Sequence, residues 1–316
     1  MTTLRTCLAR YGAVLLLAII GTGTSTVHAQ QPAATSPYAA DLATELRQYG
    51  EIELYVFKDR ADFLARIDAI FGMDNIKDPA ATFAKLPRSP FAITGQKNGT
   101  AIASCHIFVP QNVPPQSGNE IFARLMRDWF GTRLSYASNS KRTYRWLIHH
   151  EARHCQPDHF GGDDAQNHRD EIAADLFAFD ALATEPNRDA ALRQDIIAFR
   201  MITSALIADT SHMIGLSIKH ALETARSPLP LSFDQETTAF LETRQRVITR
   251  AKAIAIGATP TNRELVRAIT ELRTEAEKTT ATSPTTNVSR ILIALDDAVA
   301  HFAPALHQSV ANIRAN

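Results

Sequence analysis

Residues 149–154 read His149-His150-Glu151-Ala152-Arg153-His154, and the His-Glu-x-x-His pattern within them constrains the chain more than any other stretch. Residues four apart lie about one turn apart on one face of an α-helix, so a helix here lets His150 and His154 direct two imidazoles at a single tetrahedral ion. Glu151, beside the first of them, is placed to reach a water that the ion activates rather than the ion itself. Zinc lowers the pKa of such a water toward ~7, and a nearby carboxylate can take its proton and pass it to a leaving group. With 11 histidines in the chain, the pattern arises by chance in on the order of a few per cent of sequences. Its surroundings therefore decide its weight.

Those surroundings are helical. Ser138 to Ser140 offer N-caps for a helix over residues 141–155, a polar Asp/Gly loop covers 156–167, and a second helix follows over 169–183. A site with two histidines and one open position needs a third donor, and Glu171 lies seventeen residues beyond His154, early in that second helix. Asp175, four residues on and on the same face, is placed to hydrogen-bond the ring nitrogen of a ligand histidine and fix its tautomer. His159 and His168 are alternative third ligands; a donor on a helix is held more firmly than one on a loop, which favours Glu171. His149 points about 100° away from His150 and reads as packing. Asp158, Asp163 and Asp164 lack the alternating donor spacing of a calcium loop and read as solvated acids.

At these residues the chain resembles the gluzincin metallopeptidases, whose pattern is HExxH on one helix and ExxxD on a following one. Here it stands as His150-Glu151-Ala152-Arg153-His154 and Glu171-Ile172-Ala173-Ala174-Asp175, and the Ala174-Asp175 pair is similar to the ExxAD form of membrane-anchored and periplasmic peptidases of that clan. The resemblance spans residues 149–180. It implies one Zn2+ per chain held by His150, His154 and Glu171, with Asp175 behind a ligand histidine and Glu151 as general base in peptide hydrolysis. A metzincin would carry Gly at position 157 and His at 160, where this chain has Pro157 and Phe160. The resemblance also assigns an upstream strand at residues 100–109 the role of an exposed sheet edge along which a peptide adds as a strand. His212, at a break between two helices, is a candidate for stabilising the oxyanion of the tetrahedral intermediate.

Upstream of the motif, residues 38–49 and 59–71 have helical periodicity, residues 52–58 alternate as a strand, and residues 91–94 and 100–109 form two strands joined at Lys97-Asn98-Gly99. Residues 72–90 read as an irregular excursion. Downstream, residues 189–225 predict two helices broken near 209–211, residues 233–256 one more, and residues 262–315 two, separated by a Thr/Ser/Pro loop at 279–287. The fold class is therefore α+β: a small antiparallel sheet, the zincin-type helix, and a mainly helical carboxy-terminal part.

Arg5 and Arg10 flank a short n-region, residues 11–20 are apolar, and Val27-His28-Ala29 offers small residues for cleavage before Gln30. This is signal-peptide architecture and predicts an exported protein, periplasmic or secreted, with no transmembrane anchor after cleavage. The expected organisation is a signal peptide at 1–29, a zincin-like catalytic domain at 30–185, and a helical region at 186–316 packed on it or covering it. Cys105 and Cys155 then remain as the only cysteines, and an oxidising compartment lets them pair if the fold brings them together. The 33 basic and 33 acidic residues balance, which argues against a nucleic-acid or anionic-membrane partner; the resemblance implies a peptide or protein substrate. Two other classes compete with the peptidase reading. One is a zinc-binding interaction module without activity; the other is a di-iron carboxylate protein, for which Glu151-x-x-His154 would be one of two required copies, and no second copy stands in a comparable helix.

Overall fold

The computed structural model describes residues 37–76, 78–83, 89–93, 96–97, 100–101, 104–156, 163–183, 186–224 and 231–314. The expected signal peptide, Asn98-Gly99, Asp158 and His159 lie outside these residues. The architecture is α+β with a mainly helical carboxy-terminal part. Among the described residues five strands, β1 (Ile52–Phe57), β2 (Phe91–Ile93), β3 (Gln96–Lys97), β4 (Thr100–Ala101) and β5 (Cys105–Pro110), form a three-stranded sheet of order β1-β5-β2 and a separate β3-β4 pair. The sheet is mixed where an antiparallel one was expected. β1 runs parallel to β5 with Ile52 opposite Cys105, and β2 runs antiparallel to it with Ala92 opposite Ile107.

The expected strand over 100–109 is thus divided, and its main part is not an edge. Every residue of β5 is buried. An apolar run such as Ile107-Phe108-Val109 belongs between two strands, where both of its faces are covered. The outer strand on this side is β2, only three residues long.

Helices cover both faces of this sheet. On one face, Leu54, Ile107 and Val109 pack with Tyr144, Ile148 and Ala152 of helix α5 (Ser140–His154) and with α1 (Pro37–Leu46). On the other, Phe57 and Phe108 pack with Phe63, Ile67 and Phe71 of α2 (Arg60–Phe71). Among its described residues, the excursion after α2 contains a 3-10 turn at Met73–Asn75 and a short α-helix, α3 (Pro79–Thr82). Gly118, at the start of α4 (Gly118–Phe130), allows that helix to touch α5: a Cβ there would sit 2.1 Å from the Ser140 carbonyl oxygen.

Helices α6 (Asp164–Leu182), α7 (Pro186–Leu206), α8 (Gly215–Thr224), α9 (Phe233–Ile254), α10 (Asn262–Thr280), α11 (Asn287–Phe302) and α12 (Pro304–Arg314) complete the chain. No described helix is long and apolar enough to cross a membrane. α6 starts five residues before the expected position because Asp163 caps it, accepting from the Gln166 N–H at 2.9 Å. The last segment holds three helices, not two. Pro304 has no N–H for a continuing helix, so α11 ends before it and Pro304 opens α12. One apolar cluster joins Phe122, Trp146 and Phe179 to Phe199, Phe240 and Leu295, so the helical region from residue 186 onward packs on the part that carries the motif.

A disulfide joins Cys105, the first residue of β5, to Cys155, the residue that caps α5 (Cα–Cα 5.4 Å). It therefore ties the sheet to the helix one residue past His154. Closing a loop of 50 residues is expected to stabilise the fold by about 4 kcal/mol in the chain-entropy limit. We expect the Cys105→Ser/Cys155→Ser protein to unfold in urea with a free energy lower by about 2–4 kcal/mol. Coincident unfolding curves would show that the bond contributes nothing.

Candidate metal centre

α5 is capped by Asn139, whose side chain accepts from the Arg142 N–H at 3.0 Å, and its inner face carries Trp146, His150 and His154. α6 lies against it. The Trp146 indole N–H donates to the Asp175 carbonyl oxygen at 3.3 Å, which sets α6 so that Glu171 and Asp175 face the histidines. The Nε2 atoms of His150 and His154 are 3.0 Å apart. Glu171 closes a triangle with them, its Oε2 lying 3.4 Å from His150 Nε2 and its Oε1 3.5 Å from His154 Nε2.

This triangle fits an ion. Donors bonded at ~2.0–2.1 Å to a tetrahedral centre lie about 3.3–3.4 Å from one another; the 3.4 and 3.5 Å separations, each to a different oxygen of Glu171, are close to this, and the 3.0 Å between the two imidazoles is somewhat shorter. His150 is 6% and Glu171 2% exposed, and Glu171 Oε2 is buried without a hydrogen-bond partner, an arrangement that a cation would satisfy. Among the described residues these three are the group of histidines, cysteines and acids able to hold a metal ion, their ligand atoms all within 4.8 Å of one another.

Behind His150, Asp175 Oδ1 accepts from Nδ1 at 2.8 Å. This hydrogen bond selects the Nδ1–H tautomer and leaves the Nε2 lone pair facing the triangle. Asp175 is in turn held by Arg200 of α7, whose Nε and Nη2 donate to its two oxygens at 2.6 Å each. Burial alone would raise the Asp175 pKa, but the charges and hydrogen bonds of Arg200 and His150 together outweigh it and hold the carboxyl below its usual range. Glu171 behaves alike: burial opposes its charge, yet His212, His154 and His150 hold its carboxyl well below the ordinary value.

Glu151 stands outside the triangle. Its Oε2 accepts from the Ala92 N–H of β2 at 2.7 Å, so the outer strand of the sheet and this carboxylate meet. Burial pushes the Glu151 carboxyl up to about 7, against the lowering effects of the His150 charge and the Ala92 hydrogen bond. His212 lies in the turn between α7 and α8. Its Nε2 is 3.3 Å from Glu171 Oε1, and its Nδ1 faces Asp209 Oδ2 at 3.1 Å and Ser211 Oγ at 3.0 Å. Burial disfavours the charged imidazole, but Glu171 and Asp209 overcome it and raise the pKa to about 10.

The remaining polar residues singled out in the sequence lie elsewhere. His168 Nε2 is 3.2 Å from the Met213 carbonyl oxygen and 3.3 Å from Glu236, so it braces the turn that carries His212 rather than joining the triangle. Asp164 accepts from the Thr210 hydroxyl at 2.9 Å, which together with the Asp163 cap accounts for two of the loop acids. His149 turns to α1, its Nε2 at 2.7 Å from Glu45. Two contributors were not anticipated: Arg200, and the Ala92 N–H that fixes Glu151. Comparison with family models, with curated proteins and with solved structures finds no match to this chain.

The centre makes metal affinity depend on pH. When no ion is bound, burial works against a charged His150, yet the Asp175 hydrogen bond and the nearby Glu171 and Asp175 carboxylates raise its pKa to about 9. An ion binding at Nε2 must displace the proton that the ring carries below that pH. Affinity should therefore rise by about tenfold per pH unit for each proton displaced between pH 7 and 8, and level off above about 9. Calorimetry of a zinc or cobalt titration at pH 7, in two buffers of different protonation enthalpy, should register proton release. An affinity independent of pH, with no proton released, would show that the ion does not bind His150.

Proposed function

We propose that the chain is an exported zinc-dependent peptidase in which Glu151 is the general base. The observation that carries this reading is the triangle of His150, His154 and Glu171, with Glu151 adjacent to it and not part of it. Two histidines, one carboxylate and an open position are the donor set of catalytic zinc, and a carboxylate next to the first ligand is what peptide hydrolysis adds to that set. Bound zinc would supply a Lewis acid that activates water and polarises the scissile carbonyl.

The chain's own residues do the rest. Asp175 orients the His150 ring, and Arg200 keeps Asp175 ionised. The Ala92 N–H holds the Glu151 carboxylate, which takes the proton of the attacking water and delivers it to the leaving amine. His212, held by Asp209 and Ser211, donates to the oxyanion. The role of receiving an extended peptide passes from β5, which is central, to β2, the outer strand that meets Glu151. Export is supported by the signal-peptide pattern of residues 1–29 and by the Cys105–Cys155 disulfide.

The test is incubation of the zinc-loaded mature chain with an unstructured protein and a quenched-fluorescence peptide library, with Glu151→Gln as control. Cleavage that chelation abolishes and zinc restores is the expected result. Stoichiometric zinc with no cleavage would favour a non-catalytic zinc module.

A further inference from the structure

We propose that Arg200 is a positioning residue of the metal centre, acting on the ion through Asp175 and His150, so that α7 in the carboxy-terminal half is an integral part of the site. The proposal rests on the reading of His150, His154 and Glu171 as metal ligands, and it extends that site into a region with no sequence motif for it.

The geometry is that of a fork closed on a carboxylate. Both Arg200–Asp175 bonds are 2.6 Å, Arg200 is 6% and Asp175 1% exposed, and the guanidinium lies 5.7 Å from the ring centre of Trp146. Its Nη2 is also 3.8 Å from Glu171 Oε2, so one cation faces both Glu171 and Asp175. The backbone beneath it is fixed. A Cβ on Gly215 would sit 2.8 Å from the Arg200 carbonyl oxygen, so α8 begins in direct contact with that turn of α7. One turn further along α7, the Ser204 hydroxyl donates to the His212 carbonyl oxygen and accepts from the Gly215 N–H, each at 3.0 Å.

Charge explains why an arginine stands here. Asp175 and Glu171 bring two buried carboxyl groups to one helix face, and His212 faces Glu171 but not Asp175. Arg200, bonded to both Asp175 oxygens, supplies the charge that Asp175 needs, and a guanidinium does not lose its proton in proteins. An Asp175 held ionised is a strong acceptor for His150 Nδ1–H, which makes Nε2 the better donor to an ion. Lysine would keep the charge but lose the two-pronged bond.

The test measures zinc affinity by competition with a chromophoric chelator and the visible absorption of the cobalt-loaded protein, for wild type, Arg200→Gln, Arg200→Lys, Asp175→Asn and the Arg200→Gln/Asp175→Asn double variant. Arg200→Gln should weaken zinc binding by roughly 10- to 100-fold and shift the cobalt bands, with Arg200→Lys recovering only part of both. Because the effect runs through Asp175, the double variant should bind zinc within about twofold of Asp175→Asn alone. That comparison stands even if Arg200→Gln does not fold, since the double variant removes both buried charges together. Wild-type affinity and cobalt spectrum in a folded Arg200→Gln protein, or a further loss on adding Arg200→Gln to Asp175→Asn, would overturn the proposal while leaving the three-ligand site intact. A wild-type chain that binds no zinc would overturn both.

Discussion

Glu151→Gln is expected to keep its zinc and lose about 10²- to 10⁴-fold in kcat/KM for peptide cleavage, the range that a positioned general base contributes. The separation of these two effects follows from the geometry. Glu151 is not in the His150–His154–Glu171 triangle, so replacing it removes no ligand. Its Oε2 accepts from the Ala92 N–H at 2.7 Å, and a glutamine carbonyl accepts that bond equally well. What glutamine cannot do is take a proton. Shape, strand contact and metal thus remain, and the proton path is lost. Zinc per chain by elemental analysis, beside kcat/KM on a cleaved peptide, reads the two quantities independently. A zinc-loaded Glu151→Gln protein that cleaves at the wild-type rate would remove Glu151 from the mechanism and require another base. One that has lost its zinc would mean that Glu151 belongs to the ligand set, contrary to its place outside the triangle.

The parts of the site that could be read in advance are those in which chemistry and helix periodicity coincide. His150 and His154 need only one helix to be brought together, and Glu171 and Asp175 only one more. The placement of the second helix against the first was already implied by the need for a third donor. His212 could be singled out because it interrupts a long apolar segment, and the turn that carries it does approach Glu171. Arg200 offered no such signal. It lies 25 residues beyond Asp175 inside a helix, where an arginine ordinarily serves a solvated face, and only the tertiary packing of α7 on α6 turns it inward. β5 was misjudged for a related reason. Its apolar residues were seen, but whether a strand is central or outer depends on a partner from residues 52–57, and the parallel β1–β5 pairing is a long-range choice that local alternation does not encode. The early start of α6 and the break at Pro304 were local signals, a capping Asp163 and a proline, which the broader periodicity concealed.

Removing a ligand should have the next largest effect, and the two obvious variants should fail in different ways. Four-ligand zinc sites release about 10–16 kcal/mol in total, so each ligand is worth on the order of 3 kcal/mol, or roughly 10²- to 10³-fold in affinity. Both His154→Ala and Glu171→Ala are expected to show at least that loss. His154 is the more exposed of the two, its side chain 14% accessible against 3% for Glu171, and its removal leaves the remaining buried charges paired. Glu171 is different, because His212 lies 3.3 Å and Arg200 3.8 Å from its oxygens. Replacing it by alanine takes one of two acidic partners from each cation, leaving Asp209 to His212 and Asp175 to Arg200, and breaking a buried ion pair costs several kcal/mol. The prediction is therefore a fold that survives His154→Ala and is severely weakened by Glu171→Ala, with Glu171→Gln between them. Thermal melts with added zinc and with chelator measure both quantities at once. An ion present at a thousand times its dissociation constant stabilises the folded state by about 4 kcal/mol, so wild type should melt well above its chelated form. His154→Ala should melt at nearly the same temperature with zinc or chelator and close to the chelated wild type, whereas Glu171→Ala should melt lower still. Should His154→Ala retain the full zinc-dependent shift, His154 would not be a ligand and the triangle would have to be abandoned.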